Sequence, residues 1–224
     1  MNIDITTSLL RQYPVLNVLS EEECLDIIPL IKVQKIEKDE SLYCEGETSN
    51  KLFFVVEGWF KAEKISSDGR QQTLRFIGPG EIINELAVFA KVPNAVSVIA
   101  MEESLIFYLW QNDLATCMGK YPKLSNAVIE RMGNRIQHLL DQIENLSLHT
   151  VEERLARFLL AESQDNIWER QMWVTQAEIA ARLGTVLDVV NRNLQKLVKE
   201  GVIEIHRDKI KIINREQLEF ITGG

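Results

Sequence analysis

The sequence predicts an α+β protein of three parts: an antiparallel barrel or sandwich of short strands, one long helix, and a small helix-turn-helix domain closed by a wing. Three observations predict it. Between residues 20 and 112, short apolar runs alternate with turn signals. Between Ile129 and Leu146, apolar residues recur at alternating steps of three and four. From Trp173 to Asn214, a capped helix, a glycine turn, a second helix and a short hairpin follow in order.

The strands come first. Lys51 to Glu57 is an apolar run that ends at the turn glycine Gly58. Trp59 to Ile65 follows, with a polar turn over Ser66, Ser67, Asp68 and Gly69. Gln71 to Ile77 runs into Gly78, Pro79 and Gly80, and Ala95 to Ala100 and Ser104 to Leu109 complete the series. Short strands at this spacing predict antiparallel pairing. Leu9 to Ile31 supplies short flanking helices, one started by a capping box of Ser20 and Glu23.

The long helix starts at Pro122, a residue suited to the first helical turn. Ile129, Met132, Ile136, Leu139, Ile143 and Leu146 form an a/d seam, while other faces carry Glu130, Arg131, Arg135, Asp141 and Glu144. That pattern predicts a two-stranded dimerisation seam, with packing on its own domain as the competing reading.

After a further helix from Val151, Thr175 and Glu178 make a capping box, and Ile179, Ala180 and Leu183 supply an apolar face. Gly184 is the tight turn. Thr185 with Asp188 is the expected cap of the second helix, and Val186, Val189, Val190, Leu194 and Leu197 are its expected inner face. The opposite face carries Leu187, Asp188, Asn191, Arg192, Gln195, Lys196 and Lys199. Arginine pairs twice with guanine, asparagine or glutamine twice with adenine, and lysines suit phosphates. The hairpin after Gly201 turns at His206, Arg207, Asp208 and Lys209. The expected DNA contacts are Thr175, Gln176, Thr185, Leu187, Asp188, Asn191, Arg192, Gln195, Lys196 and Arg207. A helical hairpin without a DNA role would not need the wing.

Charge does not oppose this reading. The net charge is −8, but residues 150–224 carry 11 basic and 12 acidic side chains, against 14 and 21 in residues 1–149. A local basic face suffices to approach phosphates. Cys24, Cys44 and Cys117 are scattered, without the spacing of a disulfide framework or zinc ribbon. His138, His149 and His206 all lie outside residues 20–112, so a cupin-type metal site cannot be built on the barrel strands and a barrel enzyme is set aside. The apolar runs are shorter than a membrane span, and the N-terminus lacks the basic start of a signal peptide, which predicts a cytoplasmic protein.

The layout resembles the Crp–Fnr family of bacterial transcription regulators. The resemblance rests on Gly58, Gly78 to Glu81, and Glu85 and Leu86 before Phe89. It continues through Val151 to Leu159, Thr175 to Ala180, Gly184, Val190 to Arg192, Leu194 and Leu197 to Gly201. It implies a jelly-roll, cyclic-nucleotide-binding-like sensory barrel over 1–121, a dimerisation helix over 122–148 and a winged helix-turn-helix over 149–224. It also implies an allosteric homodimer on a near-palindromic operator, an effector between barrel and dimer helix, a hinge near Leu148 to Val151 and, for an activator, contact with RNA polymerase. A small-molecule binding module without gene control is the alternative, and residues 150–224 argue against it.

The departures from the family pattern concern the effector. The resemblance places it among Arg75, Asn84, Glu85, Leu86, Ala95, Val96, Leu139 and Leu140. Relatives that sense cyclic AMP have Gly-Glu-Leu where this chain has Asn84, Glu85 and Leu86, and Arg-Ser where it has Ala95 and Val96. Two hydroxyl-bearing positions that meet the adenine are Leu139 and Leu140 here. A cyclic phosphate would lack its cation, which argues against cyclic AMP. The missing N-terminal cysteine group argues against an iron–sulfur cluster. Haem or a small organic effector is left, with Arg75 suited to an acidic one. Leu187 and Asp188 stand where many relatives have Arg-Glu, so the operator is expected to differ.

Overall fold

The computed structural model describes residues 4–66, 69, 71–169 and 174–222, without the side chains of residues 71, 138, 142 and 146. The expectations for Ser67, Asp68, Trp173 and the side chains of His138 and Leu146 lie outside the described residues. The chain forms two compact bodies: residues 1–69 with 74–137, and residues 138–224 with 70–73.

The first body opens with three short helices, α1 (Thr7–Leu10), α2 (Pro14–Asn17) and α3 (Glu21–Ile27). The Ser20–Glu23 capping box at α3 is present in both directions. Eight strands follow: β1 (Lys32–Ile36), β2 (Ser41–Tyr43), β3 (Lys51–Glu57), β4 (Phe60–Ile65), β5 (Gln71–Ile77), β6 (Ile82–Ile83), β7 (Ser97–Ala100) and β8 (Ser104–Trp110). They build two four-stranded sheets, ordered β1-β8-β3-β6 and β2-β7-β4-β5. That order is the jelly roll, which the strand pattern alone left open between barrel and sandwich. The fold also contains α4 (Glu85–Ala90) between β6 and β7, and α5 (Gln111–Lys120) after β8, both additions to the predicted elements.

Two cores stabilise this body. One lies between the sheets, around Ile36, Phe53, Val55, Phe60, Val98 and Ile106. The other joins the N-terminal helices to the barrel and to α6 (Pro122–Leu148) through Leu10, Tyr13, Leu16, Phe54, Phe107, Leu124 and Val128. Tyr13 meets Phe54 and Phe107 edge-on at 5.2 Å. Its hydroxyl donates to the Val55 carbonyl at 2.6 Å, so the buried phenol is satisfied. Gly58 has φ +84°, and a Cβ there would sit 2.7 Å from the Ser104 Cα. The β3–β4 turn can therefore pass over β8 only with glycine.

The second body contains α7 (Val151–Glu162), β9 (Ile167–Glu169), α8 (Gln176–Arg182), α9 (Leu187–Lys199), β10 (Ile203–Ile205), β11 (Lys209–Ile212) and α10 (Arg215–Ile221). Thr150 and Glu153 form a full capping box on α7. The wing is a three-stranded sheet, β10-β11-β9, not a bare hairpin. β9 holds Trp168 against Phe158, edge-on at 4.8 Å. Leu155, Leu159, Ile179, Val190, Leu194, Leu197, Ile203 and Ile210 close one core under both helices and the sheet.

Candidate functional site

The reading head begins with α8. Its Thr175 cap accepts a hydrogen bond from the Glu178 N–H at 3.2 Å. The helix ends at Gly184, φ +63°, where the Thr185 N–H returns to the Ala180 carbonyl at 3.0 Å. That left-handed turn redirects the chain into α9. Val190, Leu194 and Leu197, at steps of four and three, bury one face of α9. Asp188, Arg192, Gln195 and Lys199, at steps of four, three and four, are exposed on another. Leu187 stands beside them, 41% exposed.

Two local expectations are corrected. The cap of α9 is Val186, with no side-chain hydrogen bond, not Thr185 with Asp188. Val186 is 59% exposed and does not face the core. As the residue before the first turn, with extended backbone, it lies off the helical stripe that its spacing extends in sequence.

The candidate DNA contacts fall into distinct environments. Arg192, Gln195 and Arg207 are exposed, and Gln176 and Thr185 are half-buried. Asn191 turns partly inward, and its Oδ1 is shielded from solvent without a hydrogen-bond partner. Lys196 is exposed but tied to Glu152 of α7, Nζ to Oε1 at 2.7 Å. That carboxylate raises the lysine pKa and keeps it charged, while competing with a phosphate for it.

In the first body, a second cluster of charge lies where β5, α4 and α6 come together. Arg75 donates to Glu81 at 3.3 Å and to the Ile82 carbonyl at 3.0 Å, and its side chain is 15% exposed. Glu81 also accepts from the Gly78 N–H at 2.7 Å. Glu85 is buried, 3.8 Å from Arg75 Nη2 and 2.6 Å from Arg131 Nη2. Asn84 has a left-handed backbone and donates to the Lys51 carbonyl at 3.1 Å.

The structure brings Arg75, Asn84 and Glu85 into the interior, while Leu86 and Ala95 are exposed and Val96 is half-buried. Ala95 and Val96 themselves offer no cation and no hydroxyl. Arg131 and Arg135, which lie off the a/d seam, do not face solvent freely. Both are half-buried, on the stripe that Leu124 and Val128 begin. The signal was present in the spacing: residues 124, 128, 131 and 135 follow steps of four, three and four.

Along α6 the seam residues Ile129, Ile136, Leu139 and Ile143 are 69%, 60%, 39% and 60% exposed, and Leu140 is 54% exposed. Met132 differs, because it packs against the core of the first body. Cys24 and Cys117 are buried, Cys44 is exposed, and all three are free thiols. Among the described residues no group of histidine, cysteine and acidic side chains could hold a metal. No helix among them is long and apolar enough to cross a membrane.

Comparison with known proteins agrees with this arrangement. Residues 33–121 match the cyclic nucleotide-binding domain, and residues 153–221 match the Crp-like helix-turn-helix domain. The chain is 28% identical over 215 residues to Electron transport regulator A of Shewanella oneidensis, covering 93% of this chain and 85% of that protein. It is 27% identical over 212 residues to the Anaerobic regulatory protein of Pasteurella multocida, covering 92% and 77%. A CooA mutant from Carboxydothermus hydrogenoformans shares the fold, with a TM-score of 0.76 and 21% identity over 99% of this chain and 98% of that one. The matched proteins are regulators and not enzymes. A jelly-roll body, a long helix and a winged helix-turn-helix in this order, with both domain families matched, establish that the chain belongs to the Crp–Fnr family of DNA-binding transcription regulators.

Proposed function

We propose that this regulator works as a homodimer that reads a near-palindromic operator and is controlled by a small effector held by its first body against α6. The observation that carries the reading is the exposed stripe of Asp188, Arg192, Gln195 and Lys199 on a helix started by the Gly184 turn. A helix so presented suits the major groove, where Arg192 and Gln195 can meet base edges and Lys199 the backbone. Leu187 suits a thymine methyl and Asp188 a cytosine amino group.

The dimer reading rests on the exposed apolar seam of α6. Ile129, Ile136, Leu139 and Ile143 would be costly to leave in water, and their a/d spacing suits a second copy of the same helix. Half-sites then fall about one helical turn apart. An effector that favours one arrangement of the reading heads would change DNA affinity, and DNA would change effector affinity by the same factor. The absent cation at Ala95 and Val96 favours an effector other than cyclic AMP, and RNA polymerase is the further partner of an activator.

The test is selection of bound sequences from random duplexes, followed by fluorescence anisotropy on the selected site. Arg192→Ala is expected to weaken the selected site by about tenfold or more while leaving nonspecific binding nearly unchanged. A protein that selects no sequence in any condition, even at low salt, overturns the reading.

A further inference from the structure

The charged cluster of the first body does not balance. Arg75 and Arg131 meet the carboxylates of Glu81 and Glu85, and Arg135, one turn along α6 from Arg131, is near enough to feel all four charges. Arg75 is engaged by Glu81 and the Ile82 carbonyl, and Arg131 by Glu85 through Nε at 2.8 Å and Nη2 at 2.6 Å. Arg135 follows Arg131 by four residues, so the two are neighbours on one face of α6. It is half-buried, yet among the described residues it makes no ion pair or hydrogen bond. Burial and the charges of Arg75 and Arg131 lower its pKa, opposed by Glu85 and Glu81. Arg135 is thus a half-buried cation beside the cluster without a direct partner of its own.

A neutral donor lies near the same groups. The buried Tyr43 phenol is pushed up by its burial, then by Glu85, with Arg75 opposing. It keeps its proton and can donate it in a hydrogen bond.

We propose that Arg135, supported by Arg75 and Arg131, is the anion receptor of the effector site, and that the effector is a small molecule presenting one carboxylate or phosphate group. This rests on the reading that an effector binds the first body against α6. The receptor differs in position from the Ala95–Val96 segment, which carries no cation. One carboxylate brings the cluster to neutrality and a phosphate group slightly past it, and either meets the forked donors of Arg135 with paired oxygens.

The test uses the full-length protein at constant ionic strength, with potassium chloride as reference. Acetate, succinate and inorganic phosphate are titrated while thermal unfolding and calorimetric heat are followed. Saturable stabilisation by at least one probe is expected. Arg135→Gln should weaken that binding by about tenfold or more, and Arg135→Lys should restore part of it. Arg215→Gln, in the second body, should bind like wild type. Circular dichroism confirms that each variant is folded. Binding of phosphate alone identifies a phosphorylated effector, and binding of acetate or succinate an organic acid.

No saturable binding of any probe, or equal binding by wild type and Arg135→Gln, overturns the proposal. So does an anion-insensitive Arg135→Gln whose dimer dissociates more readily, because the guanidinium then serves a carboxylate of the second copy. Operator binding is measured on the same samples. A protein that selects DNA but ignores anions overturns only the anion receptor, whereas one that selects no DNA overturns the proposed function.

Discussion

Gly58 shows how much a single residue constrains this fold. Its left-handed backbone and the approach of Ser104 both exclude a Cβ. Gly58→Ala should cost about 2–4 kcal/mol through backbone strain and overpacking, measured by urea unfolding. A loss below about 0.5 kcal/mol would show that the turn can move aside. Gly58 was legible as a turn because an apolar run stops there. What it turns around was not, since Ser104 lies far along the chain. Arg135 was legible only in part. Its place on the 124, 128, 131, 135 stripe was in the sequence, but the stripe continues an apolar face with two arginines, and only the packing of α6 shows that they are half-buried.

At the scale of elements, local chemistry was legible at several helix starts, although Thr185 and Asp188, equally close in sequence, do not cap α9. The Ser20–Glu23 cap and the start of α6 at Pro122 follow from adjacent residues. The Thr150–Glu153 box makes α7 sensitive to acid. Hydrogen bonds from the Thr150 N–H, then its hydroxyl, hold the Glu153 carboxyl below its ordinary range. The unfolded chain therefore takes up the proton at higher pH than the folded one. The stabilisation is complete above the ordinary glutamate range and is lost as pH falls through the lowered folded value. Wild type should lose its advantage over Glu153→Gln across that acidic window in urea titrations at stepped pH; a constant difference would dismiss the linkage. β9, α4 and α5 were not foreseen. β9 has three residues, too few to show a period, and it is a strand because β11 lies beside it.

The long helix is the element on which the proposed dimer rests. Ile136→Glu places a charge in the exposed apolar seam without touching any of the three cores. Sedimentation velocity should show a monomer, with operator affinity reduced about a hundredfold or more by loss of the second half-site. A dimer that survives the charge would locate its interface elsewhere.

For the whole molecule, a net charge of −8 and a DNA-binding role are compatible, because the acidic excess lies mostly in residues 1–149. Attraction to phosphate should then be local. Lys199→Ala is expected to weaken specific and nonspecific sites alike and to reduce the salt slope by about one per subunit. An unchanged slope would place Lys199 away from the backbone. Lys196 should contribute less than its position suggests while Glu152 holds it.

The amino-acid sequence by itself determined the order of the parts, the a/d spacing of apolar residues on α6, the second helix of the helix-turn-helix and its polar stripe. Each of these depends on periodicity or caps, which act between residues a few positions apart. The tertiary structure decided the jelly-roll order of the sheets, the third strand of the wing, the inward turn of Asn191 and the burial of Arg131 and Arg135. These depend on which distant segments exclude water from one another, and a desolvated charge cannot be recognised until the surfaces that bury it have met.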